Sequence, residues 1–170
     1  MRRPITWLSA GMATVLLILV PVAHADEEKV ALDKVPMPVR EAVKVRFKDA
    51  KVTGAGKETE DGKLVYEITM KDKGRNIDVT LTPEGAIVLI EKEIARKDLP
   101  KPVAKALDEK YPNATYKIVE QVIKVENKEE KLAYYEVLLV TAQKQALEVQ
   151  VAVDGKILKE EKKSSEKNDK

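Results

Sequence analysis

Two segments of this 170-residue chain repeat one another, and the duplication limits the folds open to it more than any other feature. Val35-Pro36-Met37-Pro38-Val39 opens a run that passes Ala42-Val43 and Phe47 and reaches Asp49-Ala50. Leu99-Pro100-Lys101-Pro102-Val103 opens the second, passing Ala106-Leu107 and Tyr111 to Asn113-Ala114, at an offset of 64 residues. The offset grows to 69 at Tyr66-Glu67-Ile68 against Tyr135-Glu136-Val137, and to 70 at Glu84-Gly85 against Asp154-Gly155. Insertions in hairpin loops produce a drift of that size. The expectation is two copies of one small unit, residues 33–94 and 98–160.

Each copy opens on a helical pattern. Val35, Val39, Ala42, Val43 and Phe47 recur at three- and four-residue steps, as do Leu99, Val103, Ala106, Leu107 and Tyr111, which predicts one buried stripe per helix. Asp33 and Asp98 are the expected N-caps, with the prolines accommodated in the first turn. Pro112 then stops the second helix. After each helix the period changes to two. Lys51–Thr59 reads as a weak strand with a bulge at Gly54 and Gly56. Asp61-Gly62, Lys73-Gly74 and Pro83-Glu84-Gly85 separate the strands that follow, the last near Ile87–Glu93.

The second copy predicts strands at Thr115–Glu126, around Tyr135–Leu139, over Leu147–Val153 and from Ile157, with Asn127–Lys131 as a polar loop. The fold class expected is therefore α+β: two tandem modules, each one helix packed on a four-stranded antiparallel β-meander. Whether the two meanders join is left open. Small modules gain from packing together, so one compact unit is expected.

The amino terminus reads as an export signal over residues 1–25: Arg2 and Arg3, a continuous apolar and small-residue run from Leu8 to Val20, and Ala23-His24-Ala25 as the cleavage site. The alternative is a retained anchor, for which the run is short. The chain holds 31 Lys+Arg and 29 Asp+Glu, so without the two leader arginines it carries 29 of each. A basic footprint for nucleic acid is absent, and after cleavage no membrane association is expected. From about Glu161 to Lys170 no apolar residue remains, which predicts a disordered charged tail. The expected localisation is periplasmic or extracellular.

The residue inventory narrows the chemistry. There is no Cys, and the sole His (His24) lies in the leader, so Ser-His and Cys-His nucleophiles and imidazole or thiolate zinc sites are excluded from the exported chain. Gly54-Ala55-Gly56 lacks the Lys-Ser/Thr of a phosphate loop. Glu126–Glu130 offers oxygen ligands without EF-hand spacing and reads as a solvated loop. Asn113-Ala114-Thr115 fits a glycosylation sequon, relevant only in a glycosylating host. The expectation is no catalytic residue, no metal, no cofactor and no enzymatic activity.

The polarity of the strand faces points to binding. On the sheet face turned away from its helix the first copy places Val65, Glu67, Thr69, Asp78 and Thr80, mostly polar. The second places Tyr134, Glu136, Leu138 and Val140 beside Glu148 and Gln150. Tyr134, Leu138 and Val140 are too apolar for a wet strand face and are the candidate partner-binding residues. The competing reading buries them against the other copy or a neighbouring chain.

Both copies resemble the PepSY-like domain family, also described as beta-lactamase-inhibitor-like. The resemblance rests on Asp98-Leu99-Pro100, Lys110-Tyr111-Pro112, Asn113-Ala114, Tyr135-Glu136-Val137 and Val153-Asp154-Gly155-Lys156-Ile157. The first copy departs at Lys48, where the family pattern has proline, and at Gly54-Ala55-Gly56. The resemblance implies an exported protein without catalytic residues, and inhibition of a peptidase or beta-lactamase. The function expected is an exported, non-enzymatic protein- or peptide-binding module, an inhibitor of a secreted or periplasmic enzyme in its sharpest form. The alternative is an envelope sensor or carrier holding a small ligand or cation between two sheets.

Overall fold

The computed structural model describes residues 28–163. The proposed leader and residues 164–170 lie outside them. The elements run β1 (Glu28–Lys29), α1 (Met37–Arg46), β2 (Lys51–Glu60), β3 (Lys63–Asp72), β4 (Arg75–Leu81), β5 (Ile87–Glu93), α2 (Lys101–Lys110), β6 (Thr115–Glu126), β7 (Glu129–Val140), β8 (Ala146–Val151) and β9 (Ile157–Lys162), with short 3-10 turns at Leu32–Lys34 and Arg96–Asp98.

All nine strands form one antiparallel sheet in sequence order, β1 to β9. This overturns the expected pair of tandem helix-plus-four-strand modules: the described residues form a single, mostly β structure with two short helices. The reason lies at β5 and β6, which would otherwise be bare edges. Leu89 to Glu93 pairs with Lys124 to Glu120, so each strand satisfies the other's backbone groups and neither edge remains as a template for another chain. The cores are shared too. β6 sends Val119 to the core under α2 and Ile123 and Val125 to the core under α1, at even spacing and hence on one face. Arg46, the last residue of α1, bonds Glu130 of β7 at 2.7 Å across the same junction.

Both helices bury the expected stripes. Val35, Val39 and Val43 pack with Met70, Val79, Leu81 and Ile90, and Leu99, Val103 and Leu107 pack with Val137, Leu139, Val149 and Val151. The expected caps are wrong. Asp33 and Asp98 sit in the 3-10 turns, and the N-caps are Pro36 and Pro100, without a side-chain cap bond. Each helix starts later than expected because its first proline holds the preceding chain extended, while Pro38 and Pro102 occupy the tolerated first turn.

The hairpins match Asp61-Gly62 and Lys73-Gly74, and the bulge falls between Val52 and Gly54. Four details differ. Asn127 and Lys128 both take positive φ (53° and 67°), making a two-residue turn, so β7 begins at Glu129 rather than after a five-residue loop. The strand expected over Leu147–Val153 ends at Val151, and Val153 is exposed beyond it. The lead-in before Leu32 contributes β1, paired with β2. Residues 161–163 belong to the sheet and not to a tail: β9 reaches Lys162, and the Lys163 N–H donates to the Ala146 carbonyl.

Two glycines fix the helices to the sheet. Gly85 (φ 86°) and Gly155 (φ 93°) turn the chain under the helix N-termini, where a Cβ would stand 2.5 Å from the Pro38 carbonyl oxygen and 2.6 Å from that of Pro102. Only glycine supplies that conformation and that clearance.

Candidate functional site

The helices cover one sheet face; the other faces away from them. Strand alternation and register assign its residues. Along β3 and β4 these are Val65, Glu67, Thr69, Asp78 and Thr80, and along β5 Leu89, Glu91 and Glu93. Ile118, Glu120 and Val122 follow on β6, then Tyr134, Glu136, Leu138 and Val140 on β7, and Glu148 and Gln150 on β8.

Two cross-strand rows form its centre. One runs Thr69, Asp78, Glu91, Val122, Tyr134. The adjacent row runs Glu93, Glu120, Glu136, Gln150, Lys159. Three carboxylates therefore stand on three consecutive strands in one row, and two more, Asp78 and Glu91, stand side by side in the next. Opposed like charges destabilise a sheet, and partial burial removes the water that would screen them. Glu91 is pushed up to about 8, first by burial and then by Glu136, Glu120, Glu67 and Asp78. Glu120 is pushed up to about 7, by burial and then by Asp78, Glu136, Glu93 and Glu148. Glu136 is also raised, by burial and by Glu148, against the opposing bond from Gln150 Nε2 at 3.0 Å. At neutral pH the centre holds protons that ordinary surface carboxylates release.

An apolar floor lies among these acids. Val122 is completely buried although it is on the face away from both helices, and Val65 and Thr80 are nearly so. Tyr134 stands opposite Val122 and is pushed up to about 12, chiefly by burial and then by Glu136 and Glu91. Asn76 donates its backbone N–H to Glu93 Oε2 at 2.9 Å, and Lys163 pairs with Glu148 at 2.7 Å on the rim.

The three residues singled out from the sequence all lie on this face, along β7. Each is half-buried rather than exposed. Leu138 stands between Ile118 and Glu148, and Val140 between Thr115 and Ala146, near the strand end. The residues that sequence reasoning missed are Glu91, Glu120, Ile118 and Val122. Alternation within Ile87–Glu93 and Thr115–Glu126 carries the signal for their orientation. Their meeting depends on the β5–β6 pairing, which joins two strands expected at separate edges. Among the described residues, no three acidic or imidazole side chains converge to hold a metal ion. Nor is any helix there long and apolar enough to cross a membrane.

No family model and no curated protein matches this chain. Solved structures do. One is a protein provisionally named as periplasmic from Bacteroides eggerthii, with a TM-score of 0.60, 14% identity and coverage of 75% of this chain and 88% of that one. A BLIP-like protein from Bacteroides fragilis aligns with a TM-score of 0.55 at 17% identity, over 78% of this chain and 90% of the other. A DUF2874 family protein from Bacteroides uniformis aligns at 0.58 and 15% identity, over 75% and 88%. At these identities the likeness is one of fold. It supports a BLIP-like fold and leaves the PepSY-like resemblance resting on the motifs alone. The periplasmic naming agrees with the export expected from the amino terminus.

Proposed function

We propose that this is an exported, periplasmic, non-enzymatic module that binds a protein or peptide through the sheet face opposite its helices. The observation that carries the reading is the composition of that face: a buried apolar floor at Val122 and Val65, an aromatic at Tyr134, and closely set carboxylates around them. A floor already desolvated, with an aromatic anchor and a charged rim, is how recognition surfaces are built. The excess of carboxylates selects a partner that presents Lys or Arg. Tyr134, Leu138 and Val140 are the proposed contacts, with Glu91, Glu120 and Glu136 ionising against the partner's Lys or Arg, whose positive charge offsets the repulsion that holds their protons in the free protein. Inhibition of an exported enzyme such as a peptidase is the sharper form of this reading, and the BLIP-like name of one structural neighbour supports it by fold analogy only.

The test is capture from an envelope extract by the exported protein, compared with two variants. One carries Tyr134, Leu138 and Val140 as Ser; the other carries Glu91, Glu120 and Glu136 as Gln. A saturable partner retained by the native protein and lost by both variants, each still cooperatively folded at the assay temperature, is the expected result. Equal capture by all three proteins refutes this face as the binding surface. The alternative site between two sheets has no counterpart in a single sheet.

A further inference from the structure

Beneath the C-terminal half of α1 lies an apolar cavity of about 270 Å³. It is on the helix side of the sheet, separate from the face just described. Leu32, Val35, Val43, Phe47, Val52 and Ile68 line it, and Arg40, Lys44 and Lys48 stand at its rim. The three cations recur every four residues, so they share one side of the helix and its exit. Among the described residues none of the three enters an ion pair, and no acidic residue lines the cavity.

The equivalent place under α2 is arranged differently. Tyr116 is the second residue of β6, as Val52 is of β2; it packs against the second core and donates its hydroxyl to Asp108 at 2.8 Å. Arg96 is the first residue of its 3-10 turn, as Leu32 is of the other. Its guanidinium carbon lies 4.0 Å from the Tyr116 ring centroid, and its Nη2 donates to Asp108 at 2.6 Å. Asp108 is the eighth residue of α2, as Lys44 is of α1, and Ala104 stands where α1 carries Arg40. A tyrosine ring and a self-contained charge pair thus occupy one site. In the other the ring is reduced to a valine and the charges are three cations without a counter-ion among the described residues.

We propose that the cavity under α1 binds a single-chain amphipathic carboxylate, its hydrocarbon in the cavity and its carboxylate against Arg40, Lys44 and Lys48. The ligand supplies both the missing apolar volume and the missing negative charge that Tyr116 and Asp108 supply under α2. A dry cavity of about 150 Å³ accommodates benzene, so this one takes a chain of roughly eight to ten carbons. Leu32, exposed at the mouth, covers the chain where it leaves the cavity. The cavity and the opposite sheet face are on different sides of the sheet, so ligand binding here does not depend on a partner there.

Isothermal titration of the exported protein with sodium decanoate, and separately with decyltrimethylammonium, tests it. Decanoate is expected to saturate one site at about 0.1–1 mM, and the cationic amphiphile to bind at least about tenfold more weakly. Lys44→Glu with Lys48→Glu changes only exposed positions and is expected to weaken decanoate about tenfold. Val52→Tyr with Leu32→Arg and Lys44→Asp rebuilds the occupied arrangement and is expected to abolish binding; if it fails to fold, the charge variant decides. Equal affinity for the two amphiphiles, or decanoate binding unchanged in the charge variant, overturns the proposal. On titration, amide resonances are expected to move at Phe47 and Ile68 and not at Val122; the reverse pattern overturns it as well.

Discussion

Replacing Glu91 by Gln tests the electrostatics of the sheet face most directly. The Glu91 carboxyl is raised from an ordinary 4.5 to about 8, so the folded chain holds its proton more tightly than the unfolded chain does. The stability this group contributes is fully present below about 4.5 and is lost as pH rises through about 8. Every tenfold gain in proton affinity on folding corresponds to about 1.4 kcal/mol, so an isolated and fully desolvated carboxyl would lose about 5 kcal/mol across that window. Glu91 is neither: the face borders solvent and Glu120 shares the repulsion, which reduces the expected loss to about 1–2 kcal/mol. Glutamine keeps the shape and cannot ionise. Glu91→Gln is therefore expected to match the native protein at pH 4.5 and to exceed it by about 1–2 kcal/mol at pH 8, about 3–6 °C in Tm. Urea unfolding of both proteins between pH 4.5 and 9 measures this, and the pH-dependent difference between them is the quantity read. Parallel stability curves, or a variant that loses ground as pH rises, would refute the reasoning.

Other outcomes follow from the packing and the turns. Gly155→Ala is expected to cost about 2–4 kcal/mol, because the new Cβ meets the Pro102 carbonyl oxygen as well as an unfavourable φ. Gly62→Ala, at φ 76° with nothing within 4 Å, is expected to cost only about 1 kcal/mol, and chemical denaturation of the pair separates clash from backbone strain. Leu107→Ala removes the centre of the α2 stripe, fully buried in the second core, and is expected to cost about 3 kcal/mol in the same assay. Arg46→Ala breaks an exposed ion pair with Glu130 and is expected to change stability by less than about 1 kcal/mol; a larger loss would mean that the pair holds α1 to β7.

Much of the chain's local structure is legible in its residues alone. The apolar stripes of both helices, the alternation of β3, β4 and β7, the Asp61-Gly62 and Lys73-Gly74 turns and the extent of β6 follow from periodicity and turn chemistry, which are properties of a few neighbouring residues. The helix starts mislead because Asp33 and Asp98 look like caps, while the extended backbone at Pro36 and Pro100 sets the first turn. The turn at Asn127-Lys128 escapes notice because Lys carries no signal for the positive φ it adopts. On the sheet face, Tyr134, Leu138 and Val140 can be placed by alternation within one strand.

By itself the sequence determined which residues turn inward, where the chain reverses, and that no imidazole or thiol beyond the proposed leader can serve as a ligand or nucleophile. Tertiary structure alone decided that the strands form one sheet, because backbone groups of β5 and β6 are identical in kind to those of any edge and only their spatial approach selects the pairing. That pairing sets Glu91 and Glu120 beside Glu136 and buries Val122 on the face away from the helices. It is also the packed structure, not the pattern, that leaves the space under α1 open. A stripe of apolar residues specifies burial, whereas a cavity depends on the volumes of side chains that meet from distant parts of the chain.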